Sequence, residues 1–500
     1  MNVHSSLTFQ IVLVIGSIAL GCSETAPKST SPASTENISP ADNESIRPAS
    51  TESASPAGTE SVSAPGTESA SPAGNHDDTA QPPDDLGKNS TRGRFRARRE
   101  SQPEEDDPLA SIGYAAGSQP ASELSGVTRH LSGLSVPGLN FMVSGHVPGA
   151  QLFDMDGNVV HEWGAKFTDL WPERVKDAER GDAHFWRRAY LFDNGDVIGI
   201  FESLGMVKLD RDSQVLWAKP ISAHHDIQVF ENGELYTLGR KTMLMESAVP
   251  TIKKLSSLRP PERQSNRRTI LHDYVIHFTS EEAAPTWLSI YQCFLNAEAE
   301  HSWIQPAIDF WTKEKDRSMT GSHRDIFHTN SLKVLDGSIA ERVPEFAQGN
   351  ILLSLRHLDM IAVLDPVEKK VVWSMTGSSS LQHDAKITSE GHLLYFDNQW
   401  QLGRSRVVLM DPLTREVVWQ YGTKPGEEFY SETCGTVQEL PNKNLLITET
   451  DPGRAFEVTR DGKVAWEFYN PHGVGDDSEL IASLFEVVRV DSDVAAGWLQ

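Results

Sequence analysis

The sequence is poor in cysteine, in positive charge and in long apolar runs. Its 500 residues hold three cysteines, Cys22, Cys293 and Cys434. That excludes a disulfide framework, and no CxxC pair suggests structural zinc. Basic residues number 45 against 70 acidic ones, for a net charge of −25. Such a balance argues against nucleic-acid or anionic-membrane binding as the main task. It also means that an anionic substrate needs locally placed cations. Apolar residues make up 38%, below the usual share for a globular chain, and the shortage is local. Residues 23–125 are runs of Ser, Pro, Thr, Ala and Glu with almost no Val, Leu, Ile or Phe. They cannot bury enough apolar surface to offset their chain entropy. They carry 17 acidic and 8 basic residues, a net of −9, whereas 126–500 carry 53 and 37, a net of −16.

The apolar run from Leu7 to Leu20 is too short for a transmembrane helix and suits a signal-peptide core. It ends in Ala19-Leu20-Gly21-Cys22, which resembles the bacterial lipobox. Lys and Arg are missing before it, and Ala19 stands where Leu is usual. We expect a lipoprotein-type signal peptide over 1–21, lipidation of Cys22, and an exported protein anchored toward the periplasm or cell surface. Ordinary cleavage nearby would export the protein as well. An eight-residue repeat follows at Thr51–Gly58, Thr59–Gly66 and Thr67–Gly74. Ser/Thr/Pro tracts of this kind act as stalks, so 22–125 reads as a disordered tether. The basic cluster Arg92 to Arg99 and the acidic Glu104 to Asp107 balance within it.

From residue 139 a pattern recurs. An apolar-Asp pair, a turn and an alternating run lead to Trp at Phe153–Trp163, Leu209–Trp217, Leu364–Trp373 and Met410–Trp419, and a variant with Val-Thr closes at Val458–Trp466. Between these lie strand-turn-strand runs such as Leu191–Ile198, Val229–Tyr236, Ile387–Leu394 and Gln438–Leu446, the last with Lys443 in the glycine place. Both read as β-hairpins. Trp spacings of 54, 46 and 47 residues fit four-stranded propeller blades. The interval from Trp217 to Trp373 has room for two blades with insertions near 240–270 and 289–325, the second helical from Ser289 to Lys315. The expectation is an all-β, six-bladed β-propeller over 126–500, with Leu484–Val490 as a closing strand beside the first blade. A β-sandwich or barrel would not repeat a Trp hairpin at this period.

Aligned on turn glycines, His225 and His383 share a slot, and each is followed by Asp (Asp226, Asp384). His328 leads the blade between them, followed by Thr329 and Asn330, with Arg356 on the next strand. Arg187 and Cys434 hold the corresponding slots of two further blades. His224 is expected to point away from His225, because neighbours on a strand alternate. Imidazoles can act as nucleophile, general acid or metal ligand, and Arg offers a forked donor to an oxyanion. A three-histidine zinc site is the competing reading, disfavoured by Arg356. Asn330 and Asp384 are candidate substrate contacts. Asp384 can be read as orienting His383 or as capping a turn.

At these residues the sequence resembles the bacterial arylsulfotransferase family. The resemblance rests on His224–Ile227, Asp325–Ser331, Ile351–Arg356, Leu381–Asp384, and Leu394–Asn398 with Ser405-Arg406. It spans roughly 139–490. It implies a six-bladed propeller and sulfuryl transfer from an aryl sulfate to a phenol, without nucleotide sulfate, metal or other cofactor. By the Gln382-His383-Asp384 segment the sulfated histidine would be His383, and His225, His328 and Arg356 match the remaining active-site positions. The chain departs from the family in its tether, its lack of a cysteine pair and its lengthened loop at 336–350. A non-catalytic surface propeller, or a metal-dependent hydrolase or lyase on the same funnel, are the alternatives from other function classes.

Overall fold

A computed structural model describes residues 116–246, 267–297 and 325–499. The signal peptide, Cys22, the repeats and the basic cluster lie outside the described residues, as do 247–266 and 298–324 of the two insertions. The described chain is all-β with few, short helices. No helix among the described residues is long and apolar enough to cross a membrane.

Six antiparallel sheets, numbered I to VI, follow one another along the chain. Sheet I holds Leu139–Ser144, Gly149–Phe153 and Val159–Gly164, edged by the C-terminal strand Leu484–Val490. Sheets II to VI begin with the strands Arg188–Leu191, Ala223–Val229, Thr329–Val334, His383–Ile387 and Thr436–Glu439. Each adds three more strands in sequence order. The C-terminal run expected as a strand therefore forms one, paired with Leu139–Ser144. In sheet III the second and third strands, Leu235–Glu246 and Arg267–Phe278, are 12 residues each. The insertion near 240–270 is thus flanked by a lengthened hairpin, and the one near 289–325 opens with the helix Ile290–Leu295.

The recurring Trp has a physical job. Four of the five indole N–H groups donate to a turn of the following sheet: Trp163 to the Gly195 carbonyl at 2.9 Å, Trp217 to Glu281 at 3.0 Å, Trp419 to the Arg460 carbonyl at 2.9 Å. Trp466 of sheet VI reaches the Met155 carbonyl of sheet I at 3.0 Å. Trp373 instead lies under the Arg415 guanidinium, 5.8 Å from the ring centroid. A ring that joins two sheets by both packing and a hydrogen bond is costly to truncate, about 3–5 kcal/mol for Trp→Ala.

The edge strands are stitched as well. Asp226 accepts the Leu332 N–H at 2.8 Å (III to IV), Ser331 accepts that of Ala385 at 3.0 Å (IV to V), and Asp384 that of Val437 at 2.7 Å (V to VI). Thr448 accepts the Val487 N–H at 3.1 Å (VI to I). Arg188 pairs with Glu486 of sheet I and donates to the His225 carbonyl of sheet III at 2.8 Å.

Two features were not anticipated. Gly126–His130 adds a fifth strand to sheet VI beside Val464–Tyr469. Within the span read as tether, Gln119–Pro120 pair with Leu480–Ile481. Both residues are exposed, so backbone pairing alone holds them and no side-chain pattern announces the strand.

Candidate active site

The candidate residues gather where the first strands begin. Four of those starts hold a residue other than glycine in the left-handed region: His225 (φ 58°), His328 (46°), Asp384 (53°) and Cys434 (56°). The conformation costs roughly 1–2 kcal/mol per residue and concentrates at functional sites. In sheet III it breaks the pairing between His224 and Ile227. The expectation that His224 points away from His225 is therefore wrong. Alternation requires extended backbone, and the turn at His225 brings the two Nδ1 atoms to 2.9 Å.

His225 and His328 stand with ring centroids 5.1 Å apart. His225 Nδ1 lies 3.2 Å from Glu202, which also accepts the His225 backbone N–H at 3.1 Å. His328 Nδ1 meets Asp325 at 2.6 Å, and the other oxygen of Asp325 takes the His328 backbone N–H at 2.9 Å. Arg356 opens a short turn after Ile351–Leu355, and its N–H donates to the His328 carbonyl at 3.3 Å. His383 begins the first strand of sheet V, with Nδ1 2.8 Å from Asn398 Oδ1. His225, His328, Arg356 and His383 are 0%, 6%, 7% and 2% exposed.

Burial first, then the Arg356 guanidinium, holds His383 well below the ordinary imidazole value. Burial and Arg187 do the same to His225. His328 is also lowered by burial, against the opposing pull of Asp325. Burial alone would raise Asp325, but the Arg240 guanidinium and His328 outweigh it and keep it well below the usual carboxylate range. The site is thus three neutral imidazoles beside fixed cations, two of them backed by carboxylates. In an acidic chain this is the local positive charge that an oxyanion needs.

The two candidate substrate contacts differ. Asn330 donates to the Gln382 carbonyl at 2.8 Å, and its buried Oδ1 has no hydrogen-bond partner. Asp384 is committed to the Val437 N–H and, at 2.9 Å, to Lys386. It does not orient His383, because Asn398 fills that place.

Among the described residues, two buried groups bring three ligand atoms within 4.8 Å: Glu202, His224 and His225; and Asp325, His328 and His357. Neither contains His383, so the three-histidine zinc set is not assembled. In the second group His357 Nε2 meets Arg356 at 3.1 Å and Nδ1 meets the Asp325 carbonyl at 2.6 Å, which leaves no lone pair for an ion. In the first, Arg240 lies 3.7 Å from Glu202, a repulsive neighbour for a dication.

Glu202, Asp325, Asn398 and Arg187 were not singled out as site residues. Asp325 sits three residues before His328, a local signal within the Asp325–Ser331 segment. Arg187 holds the slot equivalent to the histidines. It donates to the Cys434 thiol at 3.3 Å and acts on both His225 and His383. Asn398 closes the Leu394–Asn398 segment, and Glu202, after the second strand of sheet II, carries no local signal.

A family model described as arylsulfotransferase (ASST) matches residues 188–471, more than half of the chain. No curated protein matches the chain. Among solved structures, a protein of unknown function from Bacteroides caccae is 12% identical, covers 70% of this chain and 98% of its own, and gives a TM-score of 0.40. The Cps50 (Swd1) β-propeller domain of Myceliophteria thermophila is 8% identical, with coverages of 72% and 92% and a TM-score of 0.38. A streptogramin B lyase is 10% identical, with coverages of 74% and 88% and a TM-score of 0.36.

Proposed function

Because the chain belongs to the arylsulfotransferase family, we propose that it moves a sulfuryl group from an aryl sulfate to a phenolic acceptor through a sulfated His383. Sulfotransferase activity is the family-level assignment; donor, acceptor and intermediate are this proposal. The observation that carries it is that His383 is buried with Nε2 lacking a hydrogen-bond partner, while burial and the positive charge of Arg356 and Arg187 favour its neutral form. That is where a sulfate ester would place its oxygens, and where a nucleophile must keep its lone pair.

In the first half-reaction His383 attacks sulfur. An N–S bond forms and the aryl S–O bond breaks, with its electron pair leaving on the aryl oxygen. Arg356, Arg187 and His225 bind the sulfuryl oxygens, whose charge is best met by preorganised donors. Bound anion favours protonation of His328, whose Asp325 partner stabilises the imidazolium, and that proton passes to the leaving oxygen. In the second half-reaction His328 takes the proton of the incoming phenol, whose oxygen displaces His383 at sulfur. Asn330 Oδ1, buried and without a partner, is suited to accept a hydrogen bond from a bound ligand.

The six sheets, the edge-strand contacts from II round to I, and the Trp466 bond back to sheet I support a six-bladed propeller as the scaffold. The apolar run before Cys22 supports export as a lipoprotein. Fatty-acid labelling that survives Cys22→Ser would reject the anchor.

The decisive experiment exposes the protein to a chromogenic aryl sulfate without acceptor and measures intact mass, followed by peptide mapping. A sulfuryl adduct on His383, discharged by added phenol, is expected. An adduct elsewhere, or turnover with none, rejects the intermediate. The competing metal-dependent reading draws on the Glu202, His224 and His225 group, and activity that survives exhaustive chelation rejects it.

A further inference from the structure

His383 differs from its neighbours in what holds it. His225 and His328 each face a carboxylate through Nδ1, at 3.2 and 2.6 Å. His383 faces a neutral amide. Asn398 follows the second strand of sheet V, Leu393–Asp397, and is 0% exposed. Its amide nitrogen donates to the Ser431 carbonyl at 2.9 Å and to the Cys434 carbonyl at 2.8 Å. Carbonyl oxygens only accept, so both N–H groups are used and the amide cannot be turned over. The atom facing His383 Nδ1 at 2.8 Å is therefore an oxygen. It too can only accept, so the single proton of the neutral ring sits on Nδ1. Nε2 carries the lone pair, and this atom is buried without a hydrogen-bond partner.

We propose that Asn398 is the positioning residue that fixes His383 as the Nδ1–H tautomer and leaves Nε2 as the atom that accepts the sulfuryl group. The role rests on the reading of His383 as nucleophile; the tautomer itself does not. Attack by the Nε2 lone pair forms the N–S bond while the aryl oxygen departs with the S–O electron pair, and the Nδ1 proton stays in place. The ring becomes cationic and is balanced by the attached sulfonate. An amide oxygen supports that charge without taking the proton. A carboxylate in the same place would stabilise the imidazolium of the free protein and withdraw the lone pair. It would also face the Ser431 and Cys434 carbonyls. The division is by partner: carboxylates behind the two imidazoles that move or meet charge, an amide behind the one that must be neutral when it attacks.

The test is ¹⁵N NMR of the full chain with labelled histidine, with His383→Asn used to identify the His383 signals. A protonated Nδ1 and an unprotonated Nε2 are expected. In Asn398→Ala the preference should be lost, and kcat for aryl sulfate should fall about a hundredfold with KM little changed. In Asn398→Asp the acid limb of the kcat profile should move to higher pH, because a raised imidazole pKa removes the neutral form sooner. A protonated Nε2 in the unaltered protein overturns the proposal, even if neither variant folds. So does Asn398→Ala with unchanged tautomer and kcat. Retained transfer by His383→Asn would instead sink the nucleophile reading, while an Nδ1–H signal would still support the positioning.

Discussion

The first strands of sheets III and V carry two regions one residue apart. His225 and His383 stand in the site, with His383 Nε2 left without a partner. Asp226 and Asp384, immediately after them, are fully engaged. Asp226 takes the Leu332 N–H and lies 3.3 Å from Lys333 and 3.7 Å from Arg188. Asp384 takes the Val437 N–H and pairs with Lys386. Its carboxyl stays below the ordinary value although burial opposes this, because Lys386, Arg188 and Lys333 outweigh it. One region leaves polar atoms open for a ligand, and the other satisfies every charge and joins sheets. Neighbouring residues thus serve chemistry and cohesion separately, so substitutions should separate activity from stability.

The largest effect belongs to His383→Asn. Transfer should fall by more than about a thousandfold, roughly 4 kcal/mol, with the melting temperature nearly unchanged. Rate assays and a thermal melt on the same sample check this. A variant that is active, or inactive only because it is unfolded, breaks the comparison. Asp384→Ala should do the reverse. It strands the Val437 N–H and removes the anion beside Lys386, which keeps the Val437 carbonyl, so a loss of about 2 kcal/mol in denaturant unfolding is expected, with kcat of the remaining folded protein falling far less than in His383→Asn. Arg356→Lys should sit between them, folded but slowed more than about tenfold, roughly 1.4 kcal/mol. A point charge cannot reproduce forked contacts, and equal activity would remove Arg356 from the oxygens.

Acid tests the buried imidazoles without any substitution. His224 and His357 are lowered from 6.5 to about 3 and about 4, chiefly by burial. They stay neutral in the folded chain while the unfolded chain takes up protons. Their contribution is full above 6.5 and is lost as pH falls from there toward 4 and 3. Unfolding titrations at stepped pH should show this decline, and His357→Gln should flatten it. A stability that rises on acidification through this range would contradict neutral burial.

Much of the fold was legible because its signals are local. The Trp hairpins mark themselves by alternation, and Lys443 takes the left-handed turn expected of a glycine, at φ 70°. The histidine slots were legible for the same reason. What escaped arises between segments. Glu202 lies 23 residues before His225 with no signal beside it, and Asn398, although it closes the Leu394–Asn398 segment, stands 15 residues after His383, so its pairing with that ring depends on a strand register the sequence does not print. The His224 error came from a left-handed residue with a side chain, which alternation cannot foresee. Asp384 resembled a partner of His383 by adjacency, but its side chain serves the next sheet.

Sheet I takes its edge from the far end of the chain: Leu484–Val490 pairs with Leu139–Ser144, and its Glu486 meets Arg188, which also holds the His225 carbonyl. During synthesis this contact cannot exist until Glu486 has emerged. A nascent chain that has completed sheets II to V has Asp226 beside Arg188 but still lacks Glu486, its closer anion partner. The last support of the His225 turn is thereby delayed until the Leu484–Val490 strand has been made.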